Sequence, residues 1–461
     1  MLRKHDLQLF KYFIIFQPVL DMLIYFSLTY MNVNLRIGIG VRVLFMALTL
    51  LYIFSGRYRW KKWITGYIIL LFFMAGISFL MNYLTKPSFF LFPEAQFYVK
   101  AVYYPVMFCG IFTLFLTRER KSDVRSMIYS AVSVAMLIVS LSLFTSIVTN
   151  TANSTYTYSK SGYTGWFFAG NELSAIIAIC FPLTIIFAIR KTETARDFIY
   201  WLPALLLAIS SLFVGTKVSF LAVLLTIAGT FIITPLHWLL NRWRRFPLSP
   251  WKIMLFQLLL LAVFAAVIPV SPAYENISGD YASINEQIAE EEIDEELKAE
   301  EQLKSRENRE SAFLQSLVVQ TILSSRNVYF QNIYFDYVDA GLMHKWFGLG
   351  YAGFYEQNPK LIEMDFFDLF FSFGIAGFTV VVLPVLILAF SVVKSFFTGF
   401  WEFFEIENIL LIFSCLLGFG VAFFAGHVLY APAVSIYLSM ASVLLIQRQS
   451  GQEKIEFRGF R

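Results

Sequence analysis

Apolar runs of roughly 20 residues recur along almost the whole chain, each long enough to cross a ~30 Å hydrocarbon core as a helix. Backbone groups in lipid must bond within their own segment, and these runs are far too long for barrel strands. The pattern predicts an all-α polytopic membrane protein. About twelve transmembrane helices are expected, centred at roughly residues 20, 48, 73, 107, 136, 178, 206, 228, 261, 380, 415 and 437. Composition points the same way, with 58% of residues hydrophobic and only 15% charged, which excludes an ordinary soluble domain. The first run is too long for a cleaved leader and lacks a small-residue cleavage site, so it reads as an uncleaved anchor.

The series is interrupted once. Residues 271–365 are mostly polar and separate nine predicted spans (1–270) from three more and a basic tail (366–461). If twelve helices alternate, the basic connections all fall on one side: Arg3 and Lys4, Arg57 to Lys62, Arg118 to Arg125, Arg190 to Arg196, Arg242 to Arg245, and the tail from Arg448. Positive charge marks the cytoplasmic side, so both termini are expected there. The long loop and the connection from Thr149 to Thr164 then face outward.

That loop has two parts. Residues 286–310 form an acidic insertion, Glu290 to Glu296 followed by interspersed Lys and Arg, whose spacing suits a solvated helix. Residues 311–365 are more apolar, with Phe313, Leu317, Ile322, Tyr329 and Ile333 spaced as amphipathic lid helices on a membrane surface.

Cys109, Cys180 and Cys415 lie inside predicted spans without metal-ligand spacing, so packing is the expected role, and no metal or cofactor is expected. Of four histidines only His427, near the outer end of a late span, stands apart. Asp21, Arg42, Lys100 and Lys217 place charge in apolar surroundings, which marks either an internal ion pair or a functional cavity. Asp21 can neutralise Arg42, and lysines near span ends can snorkel. Taken together the cations suit a polyanionic headgroup such as a diphosphate.

Three blocks resemble the O-antigen ligase and Wzy-type polymerase group. The first is Gly165-Trp166-Phe167-Phe168-Ala169-Gly170-Asn171-Glu172-Leu173, similar to the family's glycine and aromatic followed by Asn-x-Leu. The second is Gly215-Thr216-Lys217-Val218-Ser219-Phe220-Leu221, with lysine where the family carries arginine. The third runs from Ser325-Arg326-Asn327 through Trp346-Phe347-Gly348-Leu349-Gly350 to Glu363-Met364-Asp365 and Gly374-Ile375-Ala376-Gly377. It departs from the family at one point: Glu363 stands at the histidine position and Met364 at the asparagine.

The resemblance implies a GT-C-like bundle with a large helical extracytoplasmic loop. It also implies a metal-independent glycosyltransferase that polymerises undecaprenyl-diphosphate-linked repeat units of a cell-surface polysaccharide at the outer face of the cytoplasmic membrane. The partners would be the lipid-linked glycan donor, a glycan acceptor, membrane lipid and other assembly proteins, with no nucleic acid. On this reading Glu363 is the general base, while Arg326 and Lys217 neutralise the leaving diphosphate. Asp365, Asn171, Arg42, Lys100 and His427 are candidates for substrate binding. Glu363 and Asp365 could instead be surface carboxylates capping the following helix at its N-terminus, a role that Asp365 and Asp368 suit. Two other activities stay open: ligation of the polysaccharide to a different acceptor, and flipping of lipid-linked glycans. The absence of visible internal repeats counts against the latter.

Overall fold

Every predicted apolar run is helical in the computed structural model of the protein, which describes residues 2–33, 37–156, 160–240, 250–282, 326–355 and 359–449. In chain order the helices are α1 (Leu2–Met31), α2 (Ile37–Ser55), α3 (Lys61–Thr85), α4 (Leu91–Ala101), α5 (Tyr103–Thr117), α6 (Lys121–Val148), α7 (Gly170–Lys191), α8 (Leu202–Val214), α9 (Lys217–Leu240) and α10 (Pro250–Val267). They continue as α11 (Arg326–Asp339), α12 (Leu342–Phe347), α13 (Asp365–Val381), α14 (Leu383–Thr398), α15 (Ile406–Phe424) and α16 (Pro432–Gln449). The acidic insertion at 286–310 and the start of the lid region lie outside the described residues.

Among the described residues ten helices are long and apolar enough to cross a membrane, and α13 with α14, bent by 47°, passes the same test as a pair, which makes eleven if the two are one broken span. About twelve were expected, and eleven of those runs meet this measure. The remaining run is α16, whose Ser435, Ser439, Ser442 and Gln447 are buried along with its apolar residues. A helix enclosed by protein need not match lipid, because hydroxyls can find partners inside the bundle, as two of its serines do. Ser439 Oγ donates to the Tyr104 carbonyl at 3.2 Å, and Ser442 bonds the Tyr104 hydroxyl at 3.2 Å. Beside α16 lies α7, packed against α6, α8, α9 and α15. α3 stands at the periphery, with Trp63, Phe73 and Leu84 exposed.

Alternate connections gather at one end of the bundle and bond one another. Tyr25 Oη at the end of α1 donates to the Thr151 carbonyl at 2.6 Å. A short antiparallel hairpin, β1 (Asn153–Ser154) with β2 (Tyr163–Gly165), occupies the α6–α7 connection. At the opposite end Glu407 accepts from Tyr129, Arg190 and Arg448, each at 2.9 Å.

The α13 helix is broken at Gly374, where φ is +64°. The break frees backbone carbonyls for the segment before it: Leu349 N donates to Phe371 O at 2.8 Å, and Gly350 N to Ser372 O at 3.1 Å. Only glycines allow this approach. A Cβ on Gly374 would stand 2.5 Å from the Gly348 nitrogen. The same segment is pinned from below by Lys86 and Glu94, both fully buried. Lys86 Nζ donates to Glu94 Oε1 at 2.5 Å and to the Tyr351 carbonyl at 2.7 Å, while Glu94 Oε2 accepts from Tyr351 N at 2.8 Å.

Candidate functional site

Two tight turns face each other at the loop-rich end of the bundle. One precedes α13 and carries Glu363; the other joins α15 to α16 and carries His427. Both residues adopt left-handed backbone, with φ of +65° and +60°, a conformation that costs a non-glycine residue about 1–3 kcal/mol. The turns nearly touch: a Cβ on Gly426 would lie 2.5 Å from the Glu363 carbonyl oxygen.

Two aspartates one turn apart on α13 hold this arrangement. Asp368 brackets Glu363, accepting from Ile362 N at 2.8 Å and Met364 N at 3.1 Å, with a further bond from the Tyr430 hydroxyl at 3.1 Å. Asp365 grips the residues after His427, its Oδ2 accepting from Val428 N at 2.8 Å and Leu429 N at 2.6 Å. Both aspartates are buried. The bonds to these carboxyl groups hold both turns in their left-handed form.

Held this way, the Glu363 carboxylate lies 3.6 Å from Arg326 Nη2 and 3.9 Å from His427 Nε2, with a third of its side chain exposed. Neither distance is a hydrogen bond, so the carboxylate keeps lone pairs free for another donor. Arg326, at the start of α11, reaches the Ala425 carbonyl at 3.4 Å through Nη2, and its Nε is buried without a partner among the described residues. The neighbouring His427 ring above all, together with the charges of Arg326 and Lys360, overcomes the effect of burial and holds the Glu363 carboxyl below the ordinary carboxylate range. Burial alone would lower the His427 imidazole, but Glu363, Asp365 and Glu172 outweigh it and raise the ring above the ordinary histidine value.

Arg326, Glu363 and His427 thus come together from three segments. Asp365 joins them as a latch on the His427 turn, with its carboxylate turned into the protein. Lys100 lies within electrostatic reach of Glu172, as do Arg42 and His427, so a string of charge runs from the turns into the bundle. Arg42 is committed within that string: it donates to Asp21 at 2.8 Å and to Gln17 at 2.9 Å. Asn171 is exposed at the first turn of α7. Lys217 is not drawn to Glu363; it pairs with Asp280 at 2.9 Å, as does Lys160 at 2.8 Å.

Sequence reasoning treated Asp368 only as a helix cap and passed over Glu172, Lys160 and Asp280. A carboxylate three residues into α13 after Asp365 was the available signal for Asp368. The contacts of the others depend on pairings between distant segments. Among the described residues no group of three His, Cys, Asp or Glu side chains is placed to hold a metal ion.

In comparison with known families, the model described as O-antigen ligase like membrane protein matches residues 4–450. A search of curated proteins returns no match.

Proposed function

The chain belongs to the O-antigen ligase-like membrane protein family, and from that premise we propose that it is a polyprenyl-diphosphate-dependent polysaccharide polymerase with its active site at the Glu363 turn. The family is one of membrane enzymes acting on lipid-linked polysaccharide. The observation that carries the finer reading is the loose cluster of Glu363, Arg326 and His427, a carboxylate flanked by cations at 3.6 and 3.9 Å and still partly open.

Transfer from a lipid diphosphate makes two demands. The leaving oxygens must be neutralised as the glycosidic bond breaks, and the attacking hydroxyl must lose its proton. Arg326 has an unused buried Nε–H to offer a phosphate oxygen. When Arg326 turns to the diphosphate, Glu363 loses part of the positive field that keeps its carboxyl acidic. Its basicity therefore rises as the donor arrives. His427 keeps the carboxylate oriented toward the acceptor hydroxyl, which attacks the anomeric carbon directly while Glu363 takes its proton. No covalent intermediate and no metal enter this scheme. The distribution of Lys and Arg supports an outward-facing orientation of this end.

Polymerase is favoured over ligase because a carboxylate replaces the histidine that the resemblance associates with ligases. The test is transfer in vitro from a purified lipid-linked repeat unit. Lipid-linked products of increasing length are expected, with loss of transfer in Glu363→Gln and Arg326→Ala. Full activity in both variants would remove the site assignment, and transfer only to a non-identical acceptor would make the enzyme a ligase.

A further inference from the structure

The last turns of α3 carry a polar stripe through apolar surroundings. Ser78, Asn82 and Lys86 recur at every fourth position, Lys86 being the residue that ends the helix, and all three are buried. Each donates to a carbonyl of the same segment: Ser78 Oγ to Phe347 O, Asn82 Nδ2 to Gly348 O at 3.3 Å and Lys86 Nζ to Tyr351 O at 2.7 Å. Glu94, in the first turn of α4, completes the contact by accepting from Tyr351 N at 2.8 Å while it pairs with Lys86. The grip is directional and takes one residue, an amide on the carboxylate and a carbonyl on the ammonium. Neither charged side chain has any exposed surface. Replacing such a pair by apolar residues of similar volume is often neutral or stabilising, so cohesion alone gives no reason for the charges.

Two routes lead from this grip to the Glu363 turn. The first runs through the backbone: Leu349 N and Gly350 N donate to the Phe371 and Ser372 carbonyls, at the broken end of the α13 piece that carries Asp365 and Asp368. The second runs through rings. Phe97, three residues after Glu94 on α4, has its centroid 5.5 Å from that of Tyr351 and 5.8 Å from that of Tyr430, whose hydroxyl donates to Asp368 at 3.1 Å. Both routes end on Asp368, which accepts from the amides on either side of Glu363.

We propose that Lys86 and Glu94 are positioning residues: the ion pair sets the register of residues 347–351 against α13 and thereby places the Glu363 turn. Neither residue touches the reacting atoms. An effect on turnover rests on the polymerase reading, whereas the placement of the turn does not.

Two double variants of the full-length protein in nanodiscs test this. Lys86→Glu with Glu94→Lys keeps the ion pair and the net charge but turns an ammonium to the Tyr351 amide and a carboxylate to its carbonyl. Lys86→Met with Glu94→Met removes both charges and strands neither, so its unfolding midpoint should equal or exceed that of the wild type. In both variants kcat for transfer from a lipid-linked repeat unit should fall ~10–10²-fold with KM within about twofold, the mark of a displaced group rather than of lost binding. Hydrogen exchange of peptides covering 361–368, which contain the two amides held by Asp368, should quicken about tenfold in both. The methionine variant carries the test by itself if the charge swap does not fold. Wild-type kcat and wild-type exchange in the methionine variant would make the pair a matter of cohesion and overturn the proposal. A wild type that transfers no glycan removes the polymerase reading alone, and exchange at 361–368 then decides the positioning: faster exchange upholds it, unchanged exchange overturns it.

Discussion

Two glutamates at opposite ends of the bundle face arginines, and the two clusters are built to different ends. Glu407 is saturated: Tyr129, Arg190 and Arg448 all reach it at 2.9 Å, and Arg448 also bonds Glu405. Its side chain is 13% exposed against 34% for Glu363. A carboxylate with every lone pair occupied by close donors can hold helices together but has nothing left for a substrate proton. Glu363, with cations at 3.6 and 3.9 Å, is held in place through its backbone by Asp368 instead, which leaves its side chain available. The same residue type thus serves cohesion where its side chain is bonded and, on the proposed function, chemistry where its main chain is.

The sharpest test of that contrast is Glu363→Gln, which should lower kcat/KM for transfer by ~10²–10⁴, the usual worth of a general base, with an unchanged unfolding midpoint. Glu407→Gln should do the reverse. It weakens the hold on Arg190, which is partly exposed, and on Arg448, which keeps Glu405, at a cost of about 1–3 kcal/mol of stability, seen as a lower midpoint in detergent while the folded fraction keeps its turnover. Loss of turnover in Glu407→Gln at full stability would end the comparison. Asp368→Asn comes next: loosening the turn displaces Glu363, and ~10²-fold loss in kcat is expected, with little change in KM.

His427→Gln gives the smallest effect and the most diagnostic one. Glu363 is held acidic chiefly by the His427 ring, so activity in the wild type is lost only as pH falls through a carboxyl below the ordinary range. Without the ring that carboxyl takes up its proton at higher pH. The acidic limb of the kcat/KM profile should therefore move upward in His427→Gln, and a limb that stays in place or moves down would show that another group titrates.

The helices were legible because each follows from local composition over some twenty residues. α16 shows the limit of that rule: it is found at its expected place, but its serines are readable only once its neighbours are known. Within the candidate site, Glu363 and Arg326 were singled out by motif and His427 by its position at the end of a span. Their meeting was not legible, since it brings together residues about 37 to 101 positions apart in the chain. The Asp21–Arg42 pair was anticipated because adjacent helices confine the search for a partner. Lys86 with Glu94 was missed even though they are close in sequence, because nothing local shows that both are driven inward by the backbone of Tyr351.

The interruption of α13 at Gly374 has a mechanical consequence. Membranes differ in thickness, and a long helix answers by tilting as a rod, carrying whatever is fixed to its tip. Here the rod has two joints, one at Gly374 and one at the 47° bend before α14. The short piece bearing Asp365 and Asp368 is fastened sideways to residues 349 and 350 as well as along its axis. Tilt in the deeper part is taken up at the joints, so the spacing of Glu363 and His427 is insulated from the bilayer, much as a gimbal keeps a compass level on a moving hull.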